Sequence, residues 1–101
     1  MATKLKTRIE TSRLERAAYI LKAVAHPTRI NVIDLLDQRK ELSVMEIAEL
    51  TCCEQSLLSH HLTNMRDKGL LKVRREGKNM YYSLVDNSIT KIIYCINESG
   101  I

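Results

Sequence analysis

The chain has 101 residues, enough for one domain and too short for two. Its 45% hydrophobic and 28% charged residues exclude disorder throughout, and one Pro and three Gly exclude collagen-like or linker-like sequence. Sixteen Lys and Arg against twelve Asp and Glu leave a net charge of +4, which favours a polyanionic partner.

Residues 1–11 are polar and basic and are expected to form an arm ahead of a single domain over residues 12–98. The opening stretch MATKLKTRIETS holds no apolar signal segment, and no apolar run approaches the roughly 18 residues of a membrane span. Ser12-Arg-Leu-Glu15 has the form of a capping box. Leu14, Ala17, Ala18, Leu21 and Val24 follow at helical spacing and predict a first helix over 12–25. His26-Pro27 ends it, because the residue before Pro avoids the helical region. Pro27 suits the first position of a second helix, whose Ile30, Val32, Ile33, Leu35 and Leu36 belong in the core. Gln38 to Glu41 reads as a polar connection. Ser43-Val-Met-Glu46 is a second capping-box pattern and opens a short helix with Val44, Ile47, Ala48 and Leu50. A fourth helix is expected from near Glu54 to Lys68, with a buried stripe of Leu58, Leu62 and Met65 and Gly69 as its left-handed cap. Leu70-Leu-Lys-Val-Arg-Arg75 alternates apolar and basic residues as a strand does. Glu76-Gly-Lys-Asn79 supplies turn residues, and Met80–Val85 is the return strand. Asp86 is expected to cap a last helix carrying Ile89, Ile92, Ile93 and Ile96. The expected fold is mainly α with a small β-hairpin, in the order ααααββα.

Two short consecutive helices joined by about three residues form a helix-turn-helix pattern, which places its second helix in the DNA major groove. Opposite the Leu58, Leu62 and Met65 stripe lie Gln55, Ser56, Ser59, His60 and Thr63, side chains able to hydrogen-bond base edges and phosphates. No acidic residue falls between Gln55 and Met65. Between Arg66 and Lys78 stand six basic residues, with Lys72, Arg74, Arg75 and Lys78 on the hairpin as a wing beside the DNA backbone. This constellation implies sequence-specific binding of double-stranded DNA. A protein-interaction module is the alternative, and it would carry an apolar patch in place of the polar face. Catalysis is not expected: Ser59 and His60 are adjacent on one helix and point apart, and no phosphate-binding glycine loop is present. The apolar Leu14, Ala17 and Leu21 of the first helix and the isoleucines of the last exceed what a monomer of this size needs. A homodimer through these helices is expected, reading an inverted repeat.

Three Cys in no framework spacing read as free thiols of a reducing cytosol. Cys53 either packs as a small hydrophobe or joins Cys52 in a vicinal pair able to sense oxidants or a soft thiophilic species, and Cys95 would act near the dimer seam. Cys52-Cys53 and His60-His61 lack the paired spacing of a structural zinc site, so neither a metal nor a cofactor is expected.

The runs His26-Pro-Thr-Arg29, Leu35-Leu36 and Leu42-Ser-Val44 resemble those of the ArsR/SmtB family of winged-helix repressors. So do Gln55-Ser-Leu-Leu-Ser-His-His-Leu62, Met65-Arg66, Lys68-Gly-Leu-Leu71, Arg74-Arg-Glu-Gly-Lys78 and Tyr81-Tyr-Ser-Leu84. The resemblance spans about residues 15–97. It implies a dimeric repressor paired through its first and last helices and released from its operator by an inducer, often a metal ion. Ser43 and Met45 stand where metal and metalloid sensors of the family carry Cys-x-Cys. Asp86 matches the first ligand of a second metal site, but Ser88 replaces its His. Ile33 stands at the first Cys of persulfide sensors. The resemblance therefore implies a regulator without these sites, one that zinc does not release.

Overall fold

A computed structural model describes residues 8–100. In chain order the elements are α1 (Thr11–Val24), α2 (Pro27–Arg39), β1 (Leu42–Ser43), α3 (Val44–Thr51), α4 (Gln55–Asp67), β2 (Leu71–Glu76), β3 (Asn79–Leu84) and α5 (Ser88–Ser99). This is the helical fold with a β wing that the pattern of residues implies. The arm expected over 1–11 lies mostly outside the described residues; Arg8, Ile9 and Glu10 are exposed, and Thr11 already belongs to α1.

Local sequence sets most helix ends, with two corrections. The Ser12/Glu15 capping box does not form. The helix starts at Thr11 with Glu10 as its N-cap, and the Glu10 carbonyl accepts the amides of Arg13 and Leu14. Ser12 is then inside the first turn, where its backbone is helical and its side chain cannot cap. Asp86 is likewise not the N-cap of α5, which begins at Ser88 after Asn87. Asp86 instead accepts the Ser88 amide at 3.0 Å and its hydroxyl at 2.9 Å, and these bonds hold its carboxyl below the usual range. Pro27 opens α2 as expected, behind an extended His26 whose Nδ1 accepts the Thr28 amide at 3.1 Å.

The capping box of α3 is complete: Glu46 N–H donates to Ser43 Oγ at 3.1 Å, and Ser43 N–H donates to Glu46 Oε1 at 2.8 Å. Ser43→Ala is expected to cost about 0.5–2 kcal/mol in urea denaturation; an unchanged midpoint would show that the cap adds nothing. At the end of α4, Gly69 takes φ +83°, with Gly69 N–H on the Arg66 carbonyl and Leu70 N–H on the Met65 carbonyl. That is a Schellman closure, and it turns the chain directly into β2.

The sheet has three strands in the order β1-β3-β2, all antiparallel. The hairpin pairs Leu71 with Leu84 through Glu76 with Asn79 around the Gly77-Lys78 turn. The third strand, β1, pairs Leu42 with Tyr82 and Ser43 with Tyr81. Two residues are too few to show an alternating pattern, so the sequence does not announce it. Val32, Ile33, Leu36, Ile47, Leu58, Leu62 and Met65 are the innermost side chains, from α2, α3 and α4. Ala23 and Val24 anchor only the end of α1, and Ile89 the start of α5. Leu14 and Leu21 on α1, and Ile92 and Ile96 on α5, stay exposed in the single chain. No described helix is long and apolar enough to cross a membrane.

Candidate nucleic-acid interface

α3 and α4 meet across a turn of Cys52, Cys53 and Glu54. Cys52 reverses the chain in the left-handed conformation, φ 55°, and Cys53 packs against the core. Ile47 of α3 and Leu58, Leu62 and Met65 of α4 are fully buried, which fixes the roll of α4 about its axis. At about 100° per residue, that roll turns Ser56, His60 and Thr63 to the opposite side. Gln55, Ser56, His60 and Thr63 are exposed, while Ser59 is half-buried at the flank. Glu54, one residue outside the acid-free stretch, accepts a hydrogen bond from the Ser56 hydroxyl.

His61, which the sequence presents only as half of a His60-His61 pair without zinc spacing, belongs to the inner side of α4. It is 6% exposed and faces inward with Leu58, Leu62 and Met65. Its position three residues after Leu58 and four before Met65 was the available signal. Burial and the neighbouring Arg29, His26 and His60 push its pKa down.

The wing residues divide. Arg74 donates from Nε and Nη2 to both carboxylate oxygens of Glu41, at 3.2 and 2.8 Å. Its Nη1 donates to Glu76, and its guanidinium lies 4.8 Å from the centre of the Tyr81 ring. The pairing raises the Arg74 pKa and lowers that of Glu41. Arg74 is therefore a strut between the wing and the α2–β1 connection, and half of its side chain remains exposed. Such a bidentate pair contributes geometry more than energy at the surface. Lys72, Arg75 and Lys78 are exposed and make no ion pair among the described residues. They leave the wing with a net positive rim. Cys52 and Cys95 are exposed free thiols. Ser43 serves as the α3 cap, and Met45 beside it is 60% exposed. No group of three or more metal-ligating side chains occurs among the described residues.

Residues 26–73 match the model of the arsR family of bacterial regulatory proteins. The transcriptional repressor PagR of Bacillus anthracis is 38% identical over 90 residues, covering 89% of this chain and 90% of PagR. The crystal structure of PagR superposes with a TM-score of 0.76 at 37% identity, over 86% of this chain and 99% of that one. HlyU from Vibrio cholerae, named a transcriptional activator, superposes with a TM-score of 0.78 at 29% identity, over 88% of this chain and 96% of that one. A homodimeric winged helix-turn-helix DNA-binding domain from Mycobacterium bovis gives a TM-score of 0.74 at 26% identity, covering 97% of this chain and 90% of that one.

Proposed function

The chain belongs to the arsR family of bacterial regulatory proteins and is a DNA-binding transcriptional regulator; from that premise we propose that it is a homodimeric repressor reading an inverted-repeat operator through α4. The observation that supports this reading most is the two-sidedness of α4. Its apolar stripe and His61 are sealed into the core, and its outer side is a row of short polar groups flanked by the cationic rim of the wing. Gln55, Ser56, His60 and Thr63 are assigned to base edges, with Ser59 reaching a phosphate or base from the flank. Lys72, Arg75 and Lys78 are assigned to phosphates, and Arg74 holds the wing at its angle. Repression is favoured because PagR is named a repressor. An inducer that releases the DNA would have the reachable thiols of Cys52 and Cys95 as its reactive groups.

The test is to select duplexes from a random pool and to measure affinity for a selected and a mixed-sequence duplex across a salt series. His60→Ala is expected to lose about 1–3 kcal/mol on the selected duplex and little on the mixed one. Arg75→Ala with Lys78→Ala is expected to weaken both and to flatten the log–log salt slope by roughly 0.9 per lost contact. Failure of any duplex to be enriched, or an unchanged salt slope in the wing variant, would refute the assignment.

A further inference from the structure

Arg29 stands in the first turn of α2 and joins three helices. Its Nη1 donates to the Ala23 carbonyl in the last turn of α1 at 2.9 Å and to Asn64 Oδ1 on α4 at 2.8 Å. Its Nε donates to His61 Nδ1, also on α4, at 2.9 Å. Two of these bonds land on consecutive turns of the helix whose far side carries His60 and Thr63. A guanidinium offers several donors in one rigid plane, so it holds the two α4 acceptors at a fixed angle. Arg29 has only donors, so His61 Nδ1 must be an acceptor and the imidazole must be neutral with its proton on Nε2. That Nε2 is buried and has no hydrogen-bond partner among the described residues. The His26 ring lies against His61, with centroids 4.5 Å apart.

Resting on the DNA-reading function proposed above, we infer that Arg29 is the positioning residue that sets α4 for base reading, and that it does so only while His61 is neutral. A proton on Nδ1 would set donor against donor at the Arg29 Nε contact and bring a second positive charge beside the guanidinium. The charged groups acting on His61 are Arg29 and the N-cap His26 from α2, and His60 on its own helix, all of them basic. The folded-state pKa of His61 lies below its ordinary value of 6.5. The contact therefore persists as the pH falls past 6.5 and is lost only through the lower folded value, while its contribution to stability is full above 6.5 and declines between the two. The ratio of affinities for selected and mixed duplexes removes any general change in attraction to phosphate, because that change acts on both; His61→Asn retains His60, so an effect of His60 would appear in both proteins.

The experiment measures this ratio for the full chain by fluorescence anisotropy from about pH 7.5 downward, past the ordinary histidine range, to the pH at which circular dichroism first reports unfolding. The variants are Arg29→Lys and His61→Asn, with folding checked by circular dichroism. Asn offers Oδ1 where His61 offers Nδ1, and it does not titrate. The wild-type ratio is expected to fall on the order of tenfold on acidification, the scale of one base contact. The His61→Asn ratio should stay level. Arg29→Lys should show a low ratio at both ends, with mixed-duplex affinity and salt slope unchanged. A His61→Asn profile that follows the wild type would overturn the inference, as would an Arg29→Lys protein with the wild-type ratio. If the wild type enriches no duplex, the DNA-reading function itself fails, and this inference fails with it.

Discussion

Leu62→Ala is expected to destabilise the domain by about 2–5 kcal/mol, the range for truncating a large aliphatic side chain in a packed core. Leu62 has no exposed surface and lies on α4 between Leu58 and Met65, which are also fully buried. α4 packs on α1, α2, α3 and β2, so few neighbours are free to collapse into the space left by the missing methyl groups. Domains of this size are stable by about 5–15 kcal/mol, so the loss is a large share of the total. Urea denaturation of wild type and variant at one protein concentration is the measurement, because a dimer's midpoint depends on concentration. A loss below about 1 kcal/mol would mean that α4 is not docked as described.

Ile92→Glu combined with Ile96→Glu is expected to leave a folded monomer that has lost most operator affinity. Ile92 is 46% and Ile96 53% exposed, and on α1 Leu14 is 41% and Leu21 49% exposed. Charging the exposed side of α5 leaves the buried Ile89 anchor untouched, so the change falls on association rather than on the fold. A dimer engages its second half-site as a linked event, and losing that linkage lowers affinity by about 10²–10⁴-fold. Sedimentation should give the 11.6 kDa monomer, and anisotropy with a selected duplex should show the loss. A variant that remains dimeric would place the interface elsewhere.

Much of the recognition unit was legible in the sequence. Leu58, Leu62 and Met65 marked the inner side of α4; Ser56, His60 and Thr63 lie on its outer side, Gln55 is exposed in its first turn, and Ser59 is half-buried at the flank. The hairpin and its Gly77 turn were legible for the same reason, since strand alternation and turn chemistry act over a few residues. Local signals misled where two neighbouring residues could each end the helix. Ser12 and Asp86 had the right side chains for caps, but α1 began before Ser12 and α5 began after Asn87.

By itself the sequence determined the five helices, the hairpin, their order and the inner stripe of α4, because helix period, Pro27, the Ser43–Glu46 box and the Gly69 closure each depend on residues within a turn or two of one another. Only the tertiary structure decided which of the polar residues are free to meet a partner. Arg74 is committed to Glu41, 33 residues away, and His61 to Arg29, 32 residues away. β1 exists only because Leu42 and Ser43 come to lie beside Tyr82 and Tyr81. A side chain's type states what bonds it can make, but the partner that takes them is set by how elements distant in sequence dock.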